Sequence, residues 1–294
     1  MANNLIVDTG LNIIGQNNPN GVYLNVDKLS VNSIDVNSIT SNSSFIDTTS
    51  YGSSIIGGFN SLIATSSNYS SIVGGYCNNV FIGSNRSSII GGVQQTILGS
   101  SNAVIGGGNG NTVCFSDNAS IIGGNVNIIN YSTNSVILGS CTSIIDYSRQ
   151  SGIIGGQYGR ICNYSYQSFI GGGYCNSMDC NSRRSIIGGG FCNSLYKNVN
   201  ESSIIGGKRN RIEDSSQSSI IGGYQNLLCS SNCSAIIGGN NVSLCYQSNT
   251  VLVPNLWVNG CISPDNGYTC GMTITQAIGG YTLTFVNGIL TDLQ

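Results

Sequence analysis

No histidine occurs anywhere in the 294 residues, and only 7% of them are charged. The first absence removes Ser-His-Asp and Cys-His nucleophile systems and the usual zinc ligands. The second, with a net charge of −2, leaves little to draw the chain toward nucleic acid or an anionic membrane. Proline occurs three times and tryptophan once. No run of about 18 apolar residues is present, so no membrane insertion is expected. The opening Met1-Ala2-Asn3-Asn4-Leu5-Ile6-Val7-Asp8 lacks the basic and apolar stretches of a signal peptide. Assembly inside a cytoplasm is the expectation, with an extracellular or cell-surface location as the alternative.

What is abundant is glycine, 41 residues, and it is not scattered. Ser-Ser-Ile-Ile-Gly-Gly stands intact at Ser53–Gly58, Ser87–Gly92, Ser202–Gly207 and Ser218–Gly223. Looser copies include Ser70–Gly75, Ala103–Gly107, Ser151–Gly156 and Ala235–Gly239. The first apolar residue of each copy falls at 55, 72, 89, 104, 121, 136, 153, 169, 186, 204, 220, 236 and 251. Those 12 gaps span 251 − 55 = 196 residues, a mean of about 16. That period is too short for helical repeats and suits one turn of a β-solenoid. The expected fold is all-β, a parallel β-solenoid of about 13 coils.

Within a coil, the Ile-Ile pair reads as a short strand and Gly-Gly as a corner needing positive φ. The repeat residues in the clearest copies are Ile55, Ile56, Gly57, Gly58, Ile72, Gly74, Gly75, Ile89, Ile90, Gly91, Gly92, Ile204, Ile205, Gly206, Gly207, Ile220, Ile221, Gly222 and Gly223. Asn60, Asn78, Asn127, Asn210 and Asn226 follow the glycines; asparagine tolerates the left-handed region and can hydrogen-bond from coil to coil. A second short strand is expected at Leu62-Ile63, Val80-Phe81, Thr112-Val113, Ile128-Ile129 and Leu227-Leu228. Neighbours in a strand face opposite ways, so one Ile of each pair fills the coil and the other faces outward. Repeated along the solenoid, the outward set makes an apolar stripe that a soluble monomer rarely exposes. Self-association of identical chains resolves this. A homotrimer is the natural closed arrangement, and the period fits a dimer as well.

The Ser-x-Ile-Ile-Gly-Gly phrase with its Ser/Asn corners resembles the head repeats of trimeric autotransporter adhesins, and similar repeats occur in phage tail and receptor-binding fibres. The likeness covers about residues 52–253. It implies a trimeric left-handed parallel β-roll. The chain departs from the adhesin pattern in its longer repeat, in Ile-Gly-Gly where those heads favour Ala-Ile-Gly, and in lacking a heptad stalk, a C-terminal anchor and an export signal. The resemblance therefore points first to a structural fibre of a phage or virus particle. Its expected partners are further copies of itself, a virion baseplate, capsid or other fibre segment, and a host-surface glycan or protein. A bacterial adhesin head or extracellular filament subunit is the alternative, and a polysaccharide-depolymerising tailspike the third.

Three segments follow: 1–50 as an attachment or capping segment, 51–253 as the shaft, and 254–294 as a C-terminal cap or tip. In the first, Val22–Val26 and Val31–Ile39 alternate apolar and polar, and Pro19 with Asn20-Gly21 marks a turn. The last opens on Pro254 and carries a hairpin signal, Tyr281–Val286, Asn287-Gly288, then Ile289–Thr291.

No catalytic, cofactor-binding or metal residue is assigned, and a non-enzymatic role is expected. Glu213-Asp214 are neighbours that a strand would turn to opposite faces, whereas glycoside cleavage needs two facing carboxylates. Gly106-Gly107-Gly108-Asn109-Gly110 lacks the Lys-Ser/Thr of a phosphate loop and reads as a repeat corner. Tyr131, Tyr147 and Tyr164 match across three coils and form a candidate ladder for sugar rings. Trp257, Tyr268, Tyr281 and Phe285 are candidates for recognition at the C-terminal end. Lys208-Arg209-Asn210-Arg211 with Arg183-Arg184 reads as a basic patch. Of 12 cysteines, Cys175 and Cys192 share one offset and Cys229 and Cys245 another, which reads first as columns of small buried free thiols, with disulfides and then a metal site as the alternatives. Neither Cys175/Cys180 nor Cys229/Cys233 has zinc-site spacing.

Overall fold

The computed structural model describes residues 44–254 in full and the backbone of Ile274–Ile278, Tyr281–Val286 and Ile289–Leu293. The chain divides into two units, Met1–Val36 and Asn37–Gln294. Residues 1–43, with the strands expected at 22–26 and 31–39, lie outside the described residues.

Residues 44–254 form a parallel β-solenoid of about 13 turns built on two 13-stranded sheets. The front sheet runs from Ser54–Ile56 to Val251–Leu252 and the back sheet from Phe45–Ile46 to Ser243–Cys245. Strands are only two or three residues long, and each pairs with its equivalent one coil away. No helix occurs among the described residues. Farther along, the last three strands form an antiparallel sheet in which Val286 pairs with Ile289. That is the hairpin the Asn-Gly signal predicts, though Asn287 and Gly288 themselves lie outside the described residues.

The register regularises the period. In the front sheet the aligned residues are Ile55, Ile72, Ile89, Ile105, Ile121, Ile137, Ile153, Ile170, Ile187, Ile204, Ile220, Ile236 and Leu252. Subtracting neighbours gives 17, 17, 16, 16, 16, 16, 17, 17, 17, 16, 16 and 16. The wider scatter read from first apolar residues is corrected: Val104, Val136, Phe169, Ile186 and Val251 each precede the interior residue by one. The seventeenth residue enters at one place, the corner after the back strand. Short coils turn there on a single left-handed residue, such as Gly99, Phe115, Tyr131, Tyr147 or Asp214. Long coils use two in succession: Thr65-Ser66, Ile82-Gly83, Asn163-Tyr164, Cys180-Asn181 and Lys197-Asn198.

The interior is a set of stacked columns. Two are apolar: the front column, fully buried from Ile55 to Ile236, and a back column through Ile63, Val80, Ile97, Val113, Ile129, Ile145, Ile161, Met178, Leu195, Ile212, Leu228 and Leu244. Burial contributes about 1.5–3 kcal/mol for each such side chain. Three more buried columns are polar, and every one is hydrogen-bonded along the stack. One holds Asn78, Gln95, Asn111, Asn127, Asn176, Asn193, Asn210 and Asn226. Each side-chain oxygen accepts from the next coil's backbone, as Asn127 N–H donates to Asn111 Oδ1 at 2.9 Å and Ser143 N–H to Asn127 Oδ1 at 3.0 Å. Two serine columns do likewise: Ser132 N–H donates to Ser116 Oγ at 2.8 Å and Ser168 N–H to Ser151 Oγ at 3.3 Å. These side chains accept backbone N–H groups that the short strands leave over, although Gln95 Nε2, where glutamine replaces asparagine in the column, is buried without a hydrogen-bond partner.

Coil-to-coil bonding by asparagine is thus present, with one correction. Asn60 belongs to a separate, left-handed column that continues through Cys77, Gln94 and Val126, whereas Asn78, Asn127, Asn210 and Asn226 lie one position on and are buried. The glycine pairs Gly57–Gly58, Gly74–Gly75, Gly91–Gly92, Gly206–Gly207 and Gly222–Gly223 all have φ between 70° and 90°. The two members differ. A Cβ on Gly91 would meet only Val73 O, 3.8 Å away, so backbone angle alone selects it. A Cβ on Gly92 would lie 2.6 Å from Gly108 O and 2.5 Å from Gln95 Nε2, so the neighbouring coil also requires glycine there.

Candidate functional site

The outer surface of the front sheet carries a row of exposed apolar side chains. Ile56, Val73, Ile90, Ile122, Ile154, Ile205, Ile221 and Ile237 are each between 41% and 58% exposed. Every one directly follows an interior residue, as alternation requires. In three coils that position is instead glycine: Gly106, Gly171 and Gly188. In those same coils the other outward position, ordinarily serine, is Val104, Phe169 or Ile186. The stripe therefore sidesteps by two residues rather than breaking. A Cβ on Gly106 would lie 3.3 Å from Ile122 Cδ1, so the adjacent apolar side chain already leans over the glycine. No coil from Ile55 to Leu252 lacks an outward apolar residue on this sheet.

The expected tyrosine ladder is assembled, and it is longer than the sequence reading placed it. Phe115 and Tyr131 stack with centroids 5.2 Å apart, and Tyr131 and Tyr147 at 4.8 Å. Tyr164 is tilted by 54° at 6.2 Å. It lies in a long coil, behind the additional Asn163, so it no longer superposes on Tyr147. Desolvation within the stack, followed by the nearby Tyr131 and Asp146, pushes the Tyr147 phenol up from its ordinary value.

A second aromatic column stands just past the Gly-Gly corner, at a constant offset in the sequence that is shared with polar residues. Phe59 stacks on Tyr76 at 5.5 Å and Tyr174 on Phe191 at 5.0 Å. Lys208 Nζ then lies 5.2 Å from the Phe191 ring and 5.6 Å from that of Tyr224. The basic patch is corrected by the same geometry. Lys208 sits between those rings, Arg211 pairs with Glu213 at 2.7 Å, and Arg184 pairs with Glu201 at 2.8 Å across another corner. Glu213 also meets Lys197 at 3.2 Å, while Asp214 accepts from Asn198 Nδ2 at 3.1 Å. Trp257 and Tyr268 lie outside the described residues, and Tyr281 and Phe285 are placed only as members of the strand Tyr281–Val286.

The cysteines do fall in columns, but two expectations change. Cys229 and Cys245 are joined by a disulfide, because parallel in-register stacking brings their Cα atoms to 4.6 Å. Of the free cysteines among the described residues, only Cys162 is buried; Cys175 and Cys233 are exposed. Cys175 and Cys192 turn corners in left-handed conformation, where side chains point outward. No group of three or more potential metal ligands occurs among the described residues. Burial pushes the Cys162 thiol up, partly offset by Arg160 Nε donating to its sulfur at 3.0 Å. Native alkylation mapped by mass spectrometry is expected to label Cys175 and Cys233 first and to spare Cys162 until unfolding. Early labelling of Cys162 would contradict the packing described.

Compared with known proteins, no protein-family model matches the chain, and no curated protein matches it.

Proposed function

We propose that this chain is a non-enzymatic structural fibre protein of a phage or virus particle, a homotrimer whose solenoids meet through their front-sheet stripes. The observation that carries the reading is the continuous outward apolar stripe: where glycine takes the place of the outward Ile, at Gly106, Gly171 and Gly188, an apolar residue, Val104, Phe169 or Ile186, takes the place of the outward serine. A face kept apolar by two different residue positions has the character of a contact surface, since a solvated face would let those positions drift to serine. Near-uniform coils, little charge and stacked polar columns suit a long, stiff, chemically quiet spacer. The repeat phrase's likeness to phage and adhesin fibre repeats supports the particle assignment. Closure of the stripes about a threefold axis leaves the aromatic columns at the corners for attachment to a host surface.

The test is localisation of the chain. Antibodies raised to it are expected to decorate projections on purified virus particles in electron micrographs, and mass spectrometry is expected to find it among the particle's proteins. Recovery from a bacterial envelope fraction in the absence of any particle would overturn this reading in favour of an adhesin head.

A further inference from the structure

Of the chain's 10 Lys and Arg residues, three line one groove of about 700 Å³. Its walls come from the Ser-x-x-Ser corners of consecutive coils: Arg149 and Gln150, Tyr166 and Gln167, Arg183 and Arg184. Each corner is held on both sides by the buried serine columns, with Ser148, Ser151, Ser165, Ser168, Ser182 and Ser185 all buried. Its backbone is also tied from coil to coil: Gln167 N–H donates to Arg149 O at 3.0 Å and Arg184 N–H to Tyr166 O at 2.9 Å. The groove's side chains thus project from a fixed backbone at the coil spacing of about 4.8 Å.

The charges within it are unequal. Arg184 is paired with Glu201. Arg149 and Arg183 are exposed and make no ion pair among the described residues. Arg183 is nonetheless held, with its guanidinium 5.3 Å over the Tyr166 ring and its Nε 3.4 Å from Tyr164 O. Gln167 Nε2 donates to Gln150 Oε1 at 3.2 Å, leaving the outer amide groups free to serve hydroxyls. Two uncompensated guanidinium forks, an aromatic ring and a row of amides form a shallow, polar, cationic surface on an otherwise slightly acidic chain.

We infer that this groove binds a carboxylate-bearing saccharide. Guanidinium forks match carboxylates in bidentate geometry, and amides match sugar hydroxyls. The lining is too polar and open for an apolar ligand. As a host-attachment site it rests on the fibre reading above, but binding by the assembled full-length chain is measured without particle or host cell, so the two fail separately.

Two sources share this chemistry, terminal sialic acids and uronic-acid polymers, and calorimetric titration separates them. The probes are 3′-sialyllactose, a hyaluronan tetrasaccharide and neutral lactose. One carboxylated glycan is expected to bind saturably and at least about tenfold more tightly than lactose. Arg149→Gln with Arg183→Gln is expected to weaken that binding about tenfold or more while the β circular-dichroism signal is retained. Arg86→Gln, outside the groove, should leave it unchanged. Absence of saturable binding by both glycans, equal affinity for lactose, or indifference to the arginine pair would overturn the assignment. Equal displacement by sulfate or by a poly-glutamate peptide would also overturn it, showing a general anion site.

Discussion

Asparagine at Ile55, Ile89, Ile204 and Ile220 together is expected to abolish folding, with loss of the β circular-dichroism signal and of any cooperative melt. All four are fully buried within their own chain. Each change removes packing worth about 2–5 kcal/mol and leaves a buried amide without its partners at a further cost of about 1–3 kcal/mol. Solenoid stability is close to a sum of nearest-neighbour terms, so damage in four coils interrupts the stack in two separate regions. Retention of a folded oligomer by this variant would show that the front-sheet register has been misassigned.

Moving each substitution by one residue is expected to change the outcome entirely. Serine at Ile56, Ile90, Ile205 and Ile221 should leave the secondary structure intact, since these side chains are between 44% and 58% exposed in the single chain. Serine is already the outward residue in Ser54, Ser88, Ser203 and Ser219 on the same strands. On the proposed interface, what would be lost is apolar area between chains, about 1.5–3 kcal/mol per side chain buried there. Summed over four positions per chain, that loss is expected to convert the oligomer to folded monomers, read by light scattering with circular dichroism unchanged. An oligomer of undiminished stability would mean that the stripe faces solvent, and the proposed interface would have to be abandoned.

The contrast between neighbouring residues explains what the sequence could and could not reveal. Period, sheet pairing and the corner role of glycine were legible because Ile-Ile-Gly-Gly recurs so often. The phase was not legible wherever two β-branched residues adjoin, as in Val104-Ile105, Val136-Ile137 and Ile186-Ile187, because either can fill a core. A signal was present nonetheless. In Gly106-Gly107-Gly108, Gly171-Gly172-Gly173 and Gly188-Gly189-Gly190 the last two glycines have positive φ, and the interior Ile stands two residues before that pair. Counting back from the corner gives the register; counting forward from the first apolar residue does not.

The aromatic ladder was legible for Tyr131 and Tyr147, whose coils have one length, and only partly for Tyr164, whose coil gains a residue at that corner. The Arg149–Arg183 groove was hidden for a different reason. Its members are separated by 17 residues, as from Tyr166 to Arg183, and no single window of sequence brings them together. The disulfide was hidden because stacking at one offset predicts proximity but does not distinguish two thiols from a bond.

If identical chains associate through the front-sheet stripe, the mass of the unmodified chain in solution must be a multiple of one chain's. Sedimentation equilibrium is expected to give three times 30.7 kDa, about 92 kDa, with no dissociation on dilution into the nanomolar range. A well-folded species of 30.7 kDa would contradict it.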